Sequence, residues 1–110
     1  MSTSEIDAPL NLRKDRACID DLLWRLDLPA GTDLSRAPEA LAEVGLTRRG
    51  QASNLPMWVF FSAEEHRLLV VPATGRLQLR VHYATPREDR ISAARDLAER
   101  VARALASCRV

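Results

Sequence analysis

The chain has 110 residues, 46% apolar and 28% charged, with a formal net charge of +1. That length suffices for one domain with one core and no disulfide or metal staple. The charge argues against a domain held on nucleic acid by bulk electrostatics, and the longest apolar run, residues 57–61, is far too short to cross a bilayer.

Cys18 and Cys108 lie far apart, with no CxxC motif and no Cys/His cluster. No structural zinc, redox motif, metal or cofactor is expected, and both thiols read as reduced in a cytoplasmic protein. Fifteen of the sixteen basic residues are Arg, the exception being Lys14. Arg favours bidentate and stacked contacts, but a GC-rich coding sequence gives the same bias. Residues 1–35 hold four cations and seven anions, whereas residues 86–110 hold six cations and four anions.

In chain order, residues 1–10 read as a loose polar tail before a single domain over 11–110. They have neither the basic start nor the apolar stretch of a signal peptide. Asn11 is a fitting N-cap for a first helix running to about Leu28, with Leu12, Ile19, Leu22, Leu23 and Leu26 as its apolar stripe. Pro29 pushes Leu28 out of the helical region and ends it. Trp24 falls off that stripe among Asp20, Asp21 and Asp27. It reads either as an exposed anchor for a partner or as a ring tucked under the 29–34 loop against Leu34.

A second, short helix is expected from Pro38, burying Leu41 and Val44 and stopping at Gly45. Residues 47–56 read as a loop or one poor helical turn. The period then changes. Residues 57–61 and 67–71 read as strands apolar on both faces, joined by a polar loop at 62–66; 72–75 is a turn. Residues 76–83 alternate strictly. Leu77, Leu79, Val81 and Tyr83 face one way, and Arg76, Gln78, Arg80 and His82 face the other. Thr85, Pro86 and Glu88 read as a capping box for a last helix reaching about Ala106. Ile91, Ala94, Ala98, Val101 and Leu105 line one side of it, flanked by Leu97 and Cys108. Asp96 with Arg100, and Glu99 with Arg103, are acid-before-base pairs on the wet side.

The expected fold is therefore α+β in the order α-α-β-β-β-α. It has two N-terminal helices, a three-stranded antiparallel meander, and a long C-terminal helix across the face that carries Leu77, Leu79, Val81 and Tyr83. A sheet apolar on both faces needs a second cover, supplied by the first helix or by a second copy of the chain.

The function expected from this pattern is a small non-enzymatic interaction or adaptor module, homodimeric, binding a protein partner. Its candidate residues are Arg76, Gln78, Arg80, His82 and Trp24. One alternative is a DNA-binding regulator in which residues 38–56 form a degenerate winged-helix segment that presents Arg48 and Arg49. Gly50, Asn54 and Pro56 spoil its recognition helix. Another is a small anionic ligand held by Arg76, Arg80 and His82. No phosphate loop, nucleophile elbow or metal-binding helix motif occurs. Glu64-Glu65-His66 lacks a third ligand at usable spacing, so no catalytic constellation is legible.

Overall fold

The computed structural model describes residues 9–16, 20–49 and 57–108. Six strands form one antiparallel sheet, and two helices lie against one of its faces. The strands are β1 (Arg13–Lys14), β2 (Leu23–Asp27), β3 (Thr47–Arg48), β4 (Trp58–Phe61), β5 (Arg67–Val71) and β6 (Arg76–Arg80). The helices are α1 (Ala37–Glu43), between β2 and β3, and α2 (Arg90–Ala106), after β6. The spatial order is β1-β2-β6-β5-β4-β3. After β2 the chain crosses to the far edge through α1, then steps back strand by strand until β6 closes against β2. Both edges are strands of two residues, which offer little ladder for another chain to extend.

The core is the helix-covered face. Trp24 and Leu26 of β2, Phe60 of β4, Leu68 and Val70 of β5, and Leu77 and Leu79 of β6 alternate inward. They meet Ala94, Leu97, Ala98, Val101, Ala104 and Leu105 of α2, with Ala37, Ala40 and Leu41 of α1 beside them. The alanines of α2 let it sit close to the sheet. Gly45, at φ 88°, ends α1 in a left-handed turn. Gly45 N–H donates to the Ala42 carbonyl and Leu46 N–H to that of Leu41. The fully buried Leu46 and Leu41 supply the apolar contact typical of this stop.

The expected three-stranded sheet with two N-terminal helices is therefore corrected, among the described residues, to six strands and two helices, still α+β. No helix covers 11–28 among the described residues. Residues Pro9–Asn11 form a 3-10 turn, and β1 and β2 make a hairpin. The stretch that carries the Leu stripe also holds an alternation: in β2, Trp24 and Leu26 are buried and Arg25 and Asp27 exposed. Tertiary pairing decided between the two periods, because β6 has an open ladder that β2 fills over five residue pairs. Leu10, placed in the expected tail, packs partly buried against the core; residues 1–8 lie outside the described residues, as do Cys18 and Ile19. Thr47 and Arg48, expected in a loop, pair with Phe61 and Phe60.

At the other end of the chain, Tyr83 does not join Leu77, Leu79 and Val81 in the core; it is 75% exposed. Val81 still donates to the Leu22 carbonyl, and the chain then turns. The capping box is absent. A 3-10 turn over Arg87–Asp89 precedes α2, with no side-chain cap at either start. Arg90 ties this corner instead, donating to the carbonyls of Thr85 (3.0 Å), Asp20 (2.9 Å) and Tyr83 (3.2 Å). Ile91 is 55% exposed, and Leu97, expected at the flank, is fully buried. Of the surface pairs, Asp96–Arg100 forms at 3.1 Å.

Candidate interaction face

With both helices on one face, no described element covers the other. Its residues stand in rows across the strands. One row runs Thr47, Phe61, Arg67, Arg80, Leu23. The next runs Val59, Leu69, Gln78, Arg25, Arg13. A third runs Val71, Arg76, Asp27. Val59, Phe61, Leu69 and Val71 are half-buried and form an apolar strip along β4 and β5. Arginines border it on the β6 and β2 side.

Three cations on or beside this face have acidic partners. Arg13 meets Asp27 at 3.1 Å, Arg25 meets Asp15 at 3.2 Å, and Arg49 holds both oxygens of Glu65 at 2.9 and 3.3 Å. The Asn11 amide, and then Arg13, hold the Asp27 carboxyl below its usual range. Arg67, Arg76 and Arg80 have no ion pair among the described residues. Arg67 and Arg80 are direct cross-strand partners, a placement of like charges that destabilises a sheet. Burial, and then the charge of Arg80, lower the Arg67 guanidinium from its ordinary value, though an arginine stays protonated throughout.

Concavities lie at both ends. One of about 440 Å³ is bordered by Arg13, Arg25, Asp27, Gly75 and Arg76. The other, about 160 Å³, is lined by Phe61, Glu65, Arg67, Arg80, His82 and Tyr83. In the second, the Tyr83 and His82 rings stack with centroids 4.6 Å apart. His82 Nδ1 accepts the Ala84 N–H at 3.1 Å, which leaves the neutral ring's proton on Nε2. Behind it, His82 N–H donates to Nδ1 of the buried His66 at 2.9 Å. Burial pushes the His66 imidazole pKa down; His82 and Arg100 act in the same direction, and Glu64 and Asp96 oppose it.

The structure brings Arg76, Gln78 and Arg80 to this face, and His82 to its Tyr83 end. Arg76 and Arg80 belong to opposite concavities, so Arg76, Arg80 and His82 do not line one pocket. Trp24 lies on the opposite, core face, and its Nε1 donates to the Asp21 carbonyl at 2.8 Å. Arg48 is on β3 with its guanidinium 5.3 Å from the Trp58 ring centroid, and Arg49 lies 4.7 Å over Phe61; the remainder of the supposed recognition segment, residues 50–56, lies outside the described residues. Among the described residues no group of three His, Cys, Asp or Glu is placed to hold a metal, and no helix is long and apolar enough to cross a membrane.

Sequence reasoning missed Arg67, Val59, Leu69 and Phe61 as members of the face. The signal was present in residues 67–71, where a cation starts the outward series Arg67, Leu69, Val71. It was hidden because four of those five residues are apolar, so both sides of the strand read as core. Comparison with family models, with curated proteins and with solved structures found no match.

Proposed function

We propose that the chain is a small cytoplasmic, non-enzymatic interaction module that binds an acidic, partly apolar segment of another protein on the open face of its sheet. One observation carries this reading: an apolar strip over β4 and β5, with Arg49 over its Phe61 and no described helix upon it, lies beside arginines that have no ion pair among the described residues. Apolar area supplies affinity, and complementary charge supplies orientation and choice of partner. The face favours a different protein over a second copy. Arg67 and Arg80 stand at one end and Arg76, beside Asp27, at the other, so parallel stacking of two copies sets arginine against arginine. Arg76 and Arg80, four residues apart on one strand, span roughly 13 Å, the spacing of two acidic residues on an extended segment.

The test uses the full chain with methyl-labelled Val and Leu, beside a Leu69→Asp variant. Proteins retained by the wild type should shift the Val59, Leu69 and Val71 methyl signals and be lost from the variant. Retention of the same proteins by Leu69→Asp, with those methyls unmoved, refutes this use of the face.

A further inference from the structure

The arginine pair at the Tyr83 end of the face calls for its own explanation. Arg67 and Arg80 are cross-strand partners in the interior of the sheet, not at an edge where charge would merely discourage aggregation. The nearby acid, Glu65, is engaged by both terminal nitrogens of Arg49. Two cations, with the Arg49-bound Glu65 beside them, thus border a recess of about 160 Å³ whose apolar lining includes Phe61 and Val81. The rim is held in place. Arg90 grips the Tyr83 carbonyl, His66 accepts the His82 N–H, and the His82 ring stacks on that of Tyr83. A recess of this size takes a carboxylate side chain, and its arginines are planar forks suited to two-oxygen acceptors.

We propose that Arg67 and Arg80 form the anchor subsite for one acidic side chain, a glutamate or aspartate, of the bound protein segment, with the flanking residue of that segment covering Leu69 beside the Arg49-capped Phe61. The proposal rests on the reading of the open face given above. It explains the like-charge pair: the free protein carries a repulsion that an incoming carboxylate relieves. Sites of this kind trade stability for binding.

The experiment selects peptides from a library of random sequences displayed on phage, using the full-length wild-type chain as bait. Selected peptides are then titrated against the wild type, Arg67→Gln, Arg80→Gln and Leu69→Asp. The expected result is enrichment of Glu or Asp beside an apolar residue. Affinity should fall about tenfold or more in each arginine variant, the scale of losing a charge-assisted hydrogen bond, with wild-type or higher melting temperature in both. A purely structural role predicts the reverse, with lowered melting temperature and no acid preference. Peptides that shift the Val59 and Leu69 methyls without acid preference, or bind both arginine variants unchanged, overturn the anchor and leave the interaction face standing. Failure to select any peptide, or binding that survives Leu69→Asp, overturns the reading of the face and the anchor with it.

Discussion

The two faces of this sheet are made from the same strands, yet they differ in what holds them. On the helix side, Leu68, Leu77 and Leu79 are buried between sheet and α2. On the other, Leu69, one position away from Leu68, is only half-buried, beside Gln78 and Val59. The contrast shows that apolar character along β4 and β5 is divided between two environments. One set of residues is buried in the core; the other stays part-exposed on the face proposed above to meet a partner.

The largest expected effect tests that division directly. Leu79→Ala should cost about 2–5 kcal/mol, because it opens a cavity in a close-packed core. Leu69→Ala should cost about 1 kcal/mol or less. Urea unfolding of the two variants side by side reads the difference, and equal losses would erase the distinction between the faces. Ala98→Leu should come next, at about 1–3 kcal/mol, because the fully buried Ala98 sets how closely α2 lies on the sheet.

A pH effect follows from His66, which joins the core side to the Tyr83 rim. Its folded pKa is depressed below the ordinary 6.5, so the unfolded chain binds a proton that the folded chain resists. Its contribution to stability is complete above about pH 6.5 and is lost as pH falls towards the folded value. His66→Asn keeps an acceptor for the His82 N–H but cannot titrate there. Its stability between pH 7.5 and 5 should therefore vary less than that of the wild type, as melting temperatures across that range would show. The smallest effect concerns the open face. Arg67→Gln removes a like-charge pair and should leave the protein as stable or more stable by about 0.2–1 kcal/mol. A clear loss of stability in thermal melts would mean that Arg67 supports the fold.

Some of this was legible residue by residue. The alternation through Leu77, Gln78, Leu79 and Arg80 names β6 and its two faces, and Gly45 and the turn at 72–75 fall where expected. The residues of α2 announce a helix reaching Ala106. The first thirty residues were not legible in the same way. Leu22, Leu23 and Leu26 satisfy a helical stripe, and Trp24 with Leu26 satisfies a strand; five residues are too few for periodicity to decide. Misplacing β2 had consequences at the site. It left Trp24 with two readings, an exposed anchor or a ring under the 29–34 loop, and removed Arg13 and Arg25 from the sheet. It also left β6 as an edge, where the charges of Arg76 and Arg80 had an innocent reading.

By itself the sequence determined the α+β class, the closing run of strands and the long last helix, because those depend on local period and on turn residues. It also determined that Arg76, Gln78 and Arg80 share a side, since neighbours two apart on a strand must. Only the tertiary structure decided that β2 pairs with β6, that both helices lie on one face, and that Arg67 stands opposite Arg80. Those are choices among distant partners, set by which open ladder and which apolar face remain to be filled, and no local pattern encodes them.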